Sequence, residues 1–182
     1  MVHPRGDPMP GLEDILAGFI LMSLTLYALL GGADYGAGVW YLVARGPEGH
    51  AQRQLIANAI RPIWEANHVW LILAVTLLFS AFPPAFARVS TLLHIPLTML
   101  LTGIVLRGSA FAFRSYDVRQ SPLHRFWGTL FGLSSVITAM FLGIILGTVA
   151  SSNLQYHQGE FVEVFVLTWI QPFPLAVGIW TI

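Results

Sequence analysis

Glu65 and His68 lie one helical turn apart in the stretch RPIWEANHVWLI, residues 61–72, directly ahead of the apolar run LAVTLLFSAF. Asn58, Arg61, Glu65, His68 and Ile72 are spaced three, four, three and four, which puts them on one helix face. Arg61 and Glu65 can pair at i,i+4, and Glu65 and His68 can meet at i,i+3. Asn67 falls roughly 100° off that face. From a helix start at Pro62, His68 is about 9 Å into a membrane. Ionisable residues at such depth are rare, and their default reading is functional. A carboxylate and an imidazole in this arrangement can handle protons or meet a partner subunit. The plainer alternative is an Arg61–Glu65 pair that snorkels at the interface.

Asp34 is a second candidate, set among small residues in LGGADYGAG, residues 30–38. Small neighbours let another helix approach its carboxylate. The plainer alternative is an Asp at a helix break, capping the segment that follows. If the chain stays helical, Asp34 and Glu65 lie near the same side and at similar depth, where they can share a network. His94 reads as a packing histidine or a lone ligand. It does not pair with His68 around one iron, because the two lie near opposite faces of a hydrocarbon core about 30 Å thick. Glu65-x-x-His68 also matches half of a di-iron helix motif, but that site needs a second Glu-x-x-His, which this sequence lacks. There is no P-loop lysine and no legible Ser-His-Asp arrangement.

The elements that must position these residues are membrane helices. Of 182 residues, 55% are apolar and 10% charged, against about 25% charged in an ordinary soluble domain. A soluble chain so poor in charge could not cover its surface. The runs LILAVTLLF and LTMLLTGIVL do not alternate, which excludes barrel strands and leaves helices to satisfy the backbone in lipid. The fold class is therefore all-α, a polytopic helical bundle with four spans and the start of a fifth. The spans are expected at about Ile15–Leu30, extending through the glycine-rich stretch, Pro62–Phe82, Val89–Leu106 and Phe126–Val149, with a fifth from near Phe161. Residues 1–14 read as an extramembrane tail, 15–150 as the bundle, and 151–182 as a loop with the beginning of the fifth span. That last run is still apolar at Ile182, which reads as the N-terminal part of a longer protein or an unusually short relative.

The tail's acidic balance argues against a secretory signal. All nine basic residues are Arg. Seven of them (45, 53, 61, 107, 114, 119 and 125) fall on one side and two (5 and 88) on the other. The positive-inside rule puts the seven in the cytoplasm and the N-terminus outside. Zero net charge gives no reason to expect nucleic acid, and the absence of Cys removes disulfides and thiolate-bound metals.

Five stretches, in order, resemble subunit II of the cytochrome bd-type quinol oxidases. GADYGAGV at 32–39 is similar to the family's DGFDLGVG. NAIRPIWEANHVWLI at 58–72 is similar to NSIxPxWDxNxVWL, and LFSAFP at 78–83 to LFAAFP. LRGSAFAFR at 106–114 is similar to RxxxFEFR, and TWIQPF at 168–173 completes the set. The resemblance covers the whole chain and about the N-terminal half of a typical member. It implies a bacterial or archaeal plasma-membrane complex that oxidises quinol and reduces oxygen to water. It implies subunit I as partner, with haem b and haem d ligated there and no metal or catalytic residue here. Asp34, Glu65 and His68 become proton-pathway candidates. Asn58, Arg61, Trp64, Asn67, Trp70, Arg107 and Arg114 become structural or subunit-contact candidates. Three positions depart from the pattern: Gly31 and Ala112 replace carboxylates, and His68 stands where the family has Gln or Glu. Two other classes compete: half of a membrane transporter with an Asp34/Glu65/His68 site at a broken helix, and a subunit fragment that supports no oxidase.

Overall fold

The computed structural model describes residues 11–116, 122–151 and 166–182. Among them are six helices and no strand: α1 Leu12–Val43, α2 Gly49–Ala81, α3 Pro83–Leu92, α4 His94–Tyr116, α5 Pro122–Ala150 and α6 Pro172–Trp180. Four segments are long and apolar enough to cross a membrane: Leu12–Val43, Pro62–Ala81, His94–Arg114 and Arg125–Ala150. The expected bundle of four spans is there. Arg119 and the start of the expected fifth span at Phe161 lie outside the described residues.

The first span begins three residues earlier than expected, where the Gly11 amide donates to Asp14 Oδ2 at 3.0 Å. It then runs unbroken through the glycine-rich stretch to Val43. In lipid an interrupted helix strands backbone groups that water cannot satisfy, so the glycines keep the helix and serve packing instead. This corrects two expectations at once. Asp34 caps no helix break, and the broken helix of the transporter reading is absent. Beyond Val43 the chain turns through Gly46, whose φ of +85° suits a residue without a Cβ. Arg53 of α2 then folds back on the end of α1, donating to the carbonyls of Ala44 at 2.8 Å and Tyr41 at 3.3 Å.

The expected third span also differs. A helix does end at Leu92, a new one starts at His94, and the spanning segment is His94–Arg114. Pro96 explains the joint, since it has no N–H to offer the Leu92 carbonyl. His94 therefore sits exposed at the head of α4, with Nδ1 donating to the Thr91 carbonyl at 3.0 Å.

The bundle closes by packing α4 along α5, α1 along α2 and α5, and α6 along α5. Small residues set these distances, because lipid gives helices no hydrophobic drive to associate and close van der Waals contact must hold them. A Cβ added at Gly38 of α1 would collide with Ser135 of α5, and one at Gly103 of α4 would collide with Thr138. Gly143 and Gly147 face α6 in the same way. The hydroxyls on these faces are satisfied within their own helices: Thr138 donates to the Ser134 carbonyl at 2.6 Å and Thr148 to that of Ile144 at 2.8 Å.

Gly38→Leu is expected to force α1 off α5 and destabilise the purified protein by about 2 kcal/mol or more. Gly36→Leu, where a Cβ meets nothing, should change little. Thermal unfolding in detergent, followed by tryptophan fluorescence, distinguishes the two.

Candidate functional site

The charged centre of the bundle is an ion pair between α1 and α4. Arg107 Nη1 donates to Asp34 Oδ2 at 2.8 Å, and Nη2 donates to Oδ1 at 2.6 Å. Nη2 also reaches the Asp34 backbone carbonyl at 2.7 Å. On its other edge, Nε donates to Ser135 Oγ of α5 at 2.7 Å, and that hydroxyl donates to the Phe131 carbonyl at 2.7 Å. The guanidinium carbon lies 5.1 Å from the Tyr35 ring centre and 4.8 Å from that of Phe131. Arg107 is 1% exposed and Asp34 fully buried. Only a planar, forked cation can serve a carboxylate bidentately while its Nε serves a third helix.

Helical spacing in α1 delivers Asp34 to this place. Ser23, Tyr27, Gly31, Asp34, Tyr35, Gly38 and Tyr41 are its buried residues, three or four apart in succession apart from the adjacent Asp34 and Tyr35, along one inward strip. Beside the ion pair, the hydroxyls of Tyr27 and Tyr35 share a hydrogen bond of 2.6 Å. Asn67 of α2 is buried against Gly31. Among the described residues neither its Oδ1 nor its Nδ2 has a hydrogen-bond partner. Leaving such a group unsatisfied costs about 1–3 kcal/mol.

The remaining candidates fall into two groups. Arg107 is an internal partner of Asp34, and its burial removes it from the surface available for subunit contact. Trp64 and Trp70 are half-buried; Trp64 lies 6.1 Å from the Phe111 ring. Arg114 is half-buried with its guanidinium carbon 4.6 Å from the Tyr41 ring centre. On the opposite side of α2, Asn58, Glu65 and Ile72 are exposed. His68 is half-buried, its Nδ1 donating to the Trp64 carbonyl at 2.8 Å and its ring 5.0 Å from that of Trp64. The first bond fixes the proton on Nδ1 and leaves Nε2 for other partners. The side chain of Arg61, and so its expected pairing with Glu65, lies outside what is described. Asp34 and Glu65 do not form the shared network that equal depth suggests: Asp34 turns inward to Arg107, and Glu65 turns out.

The sequence reading placed Arg107 among structural or subunit-contact residues and missed its pairing with Asp34. The signal available was an arginine following a run of apolar residues in a span, which implies a buried counter-ion. Ser135 and Tyr27 gave no such sign, since hydroxyls are common at helix contacts.

A bundle of four candidate spans closed by a buried Asp–Arg pair defines a polytopic membrane protein. The chain belongs to the cytochrome bd terminal oxidase subunit II family, whose model matches residues 12–182. It is similar to the cytochrome bd ubiquinol oxidase subunit 2 of Bacillus subtilis, 29% identical over 168 residues that cover 86% of this chain and 48% of that protein. The cytochrome bd-I ubiquinol oxidase subunit 2 of Escherichia coli K12 is 24% identical over 91% of this chain and 43% of its own length. A putative cytochrome bd menaquinol oxidase subunit II of Bacillus subtilis is 32% identical over 72% of this chain and 36% of its own. The chain thus spans somewhat under half the length of these relatives.

Removing one partner of the buried pair strands the other. Asp34→Leu and Arg107→Met are each expected to destabilise the bundle by about 3–5 kcal/mol. The double variant should recover most of that loss, which a double-mutant cycle on thermal unfolding in detergent would measure. Arg107→Lys should behave closer to Arg107→Met than to the parent, because an ammonium cannot span Asp34 and Ser135 together.

Proposed function

We propose that this chain acts as the supporting subunit of a bd-type quinol oxidase, which oxidises quinol and reduces oxygen to water. Its partner would be a subunit I that ligates haem b and haem d. The observation that carries the reading is the outward face of α2: Glu65 is exposed within a segment apolar enough to span a membrane. A bare carboxylate facing lipid is strongly disfavoured, so this face calls for a protein or water-lined neighbour. Asn58 and Ile72 extend the same face, and a subunit I helix laid along it would cover all three. The arginine-rich ends then lie in the cytoplasm and the N-terminus outside, in a bacterial or archaeal plasma membrane.

The haem assignment to the partner rests on the histidines. His68 spends Nδ1 on its own helix and packs edge-on to Trp64. His94 stands exposed at the head of α4, near the opposite membrane face by sequence depth. The pair does not fit as two axial ligands of one haem, so no chemical step is assigned to this chain. Its task in the complex would be to hold the partner and to bring protons along α2. Glu65 is the entry carboxylate, and His68 the relay through Nε2, since an imidazole nitrogen can both accept and return a proton. Asp34 is a poorer member of that path, because Arg107 occupies both its oxygens.

Purification of the complex from its native membrane should bring down a larger partner with haem b or d bands in a reduced-minus-oxidised spectrum. A colourless preparation with no partner would overturn the oxidase reading. In the coloured complex, Glu65→Ala is expected to lower quinol oxidase turnover by at least tenfold with haem content retained. His68→Ala should lower it by a smaller but measurable factor. Unchanged turnover in His68→Ala beside abolished turnover in Glu65→Ala would remove the relay and keep the entry residue.

A further inference from the structure

Four arginines converge where α1, α2, α4 and α5 end on one side of the bundle. Arg53 and Arg114 bracket one aromatic ring, their guanidinium carbons 5.2 Å and 4.6 Å from the centre of Tyr41. Beside that ring is a cavity of about 280 Å³ lined by Tyr41, Leu42, Arg45, Arg53, Arg125 and Thr129. Three of its six lining residues are cationic and none is acidic. Like charges crowded at a membrane edge repel one another, and water alone screens them poorly next to an apolar wall. Arg53 is held by the Tyr41 and Ala44 carbonyls, whereas Arg45 and Arg125 are exposed around the opening.

Arg45 also lines a second, larger cavity of about 700 Å³. This one is an apolar groove between α1 and α2, floored by Gly32, Ala33 and Gly36 and walled by Trp40, Leu55 and Ile56. The groove descends along spanning helix, while the cationic cavity sits at the level where the first span ends at Val43 and the fourth begins at Arg125. A cationic cup at the membrane surface sharing a residue with an apolar trough below it has the shape and polarity of one amphiphile. Basic pockets between spans on the arginine-rich side are suited to anionic headgroups.

We propose that this corner binds an anionic phospholipid. The headgroup phosphate is held by Arg45, Arg53 and Arg125, and an acyl chain lies in the groove along α1 and α2. The shared chemistry is a phosphate anion, and the groove selects the lipid over the free ion. Neither feature enters the oxidase reading, so the proposal stands or falls apart from it.

The test uses the protein purified with whatever partner it retains and delipidated in neutral detergent. Phosphatidylglycerol, phosphatidylcholine and inorganic phosphate are added separately, and binding is read by native mass spectrometry and by the shift in thermal unfolding. Phosphatidylglycerol is expected to bind and stabilise, with phosphatidylcholine weaker. Arg45→Gln with Arg125→Gln should weaken phosphatidylglycerol about 25-fold, since each arginine near an anionic surface contributes about fivefold. Both side chains are exposed at the opening, so the variant should fold; its unfolding without lipid serves as the check. Gly36→Trp, which fills the groove alone, should weaken the lipid and leave inorganic phosphate unaffected. Inorganic phosphate matching the lipid's effect would overturn the lipid assignment in favour of a free-anion site. Equal binding of phosphatidylglycerol to parent and double variant, or a groove that stays covered by the partner and retains no lipid, would overturn the proposal.

Discussion

The buried pairing of Arg107 with Asp34 is the constraint on which the rest of the bundle depends. A guanidinium and a carboxylate taken out of water each carry a desolvation penalty of several kcal/mol, repaid only if the geometry is close to ideal and every remaining donor is satisfied. Here two oxygens, a backbone carbonyl and the Ser135 hydroxyl take up the guanidinium's hydrogen bonds. That demand fixes α1, α4 and α5 against one another. It also accounts for the glycines around it. Gly38 must be small because Ser135 stands against it, and Ser135 stands there because Arg107 needs it.

Two polar systems with different characters result. The inner one is closed: Asp34, Arg107, Ser135 and the Tyr27–Tyr35 pair satisfy each other within the chain. The outer one, along α2 through Asn58, Glu65 and His68, is open, with exposure where the inner one has burial. One helix separates them, and Asn67, buried on its inner side, is polar without being paired. A subunit that must both hold its own shape and meet a neighbour is well served by such a division. The closed set supplies rigidity, and on the proposed reading the open set would supply recognition.

Much of this was legible in the residues. Spans, helix class and the outward ionisable stripe follow from apolar run length and from three–four spacing, both of which are local. The end of the second span before Pro83, which cannot continue a helix, is local as well. The joint at Leu93 was missed because the run from Val89 to Leu106 is apolar enough to read as one span, and Pro96 was not weighed as a break. The partner of Asp34 was missed for a different reason. Seventy-three residues separate it from Arg107, and spacing within one helix carries no information about contact between helices. Asp34 and Glu65 looked alike by depth; only the azimuth of each on its helix, which depends on how α1 and α2 face each other, separates one from the other.

That sequence separation has a consequence for biosynthesis. Chains are made at roughly 5–20 residues per second, so Asp34 leaves the ribosome about 4–15 s before Arg107 does. During that interval the first span cannot settle as a charged helix in hydrocarbon. Asp34 is best kept beside water in the insertion machinery until α4 arrives. The fourth helical segment thus serves as a licence for the first to partition fully into lipid, and the order of translation becomes part of how the subunit acquires its shape.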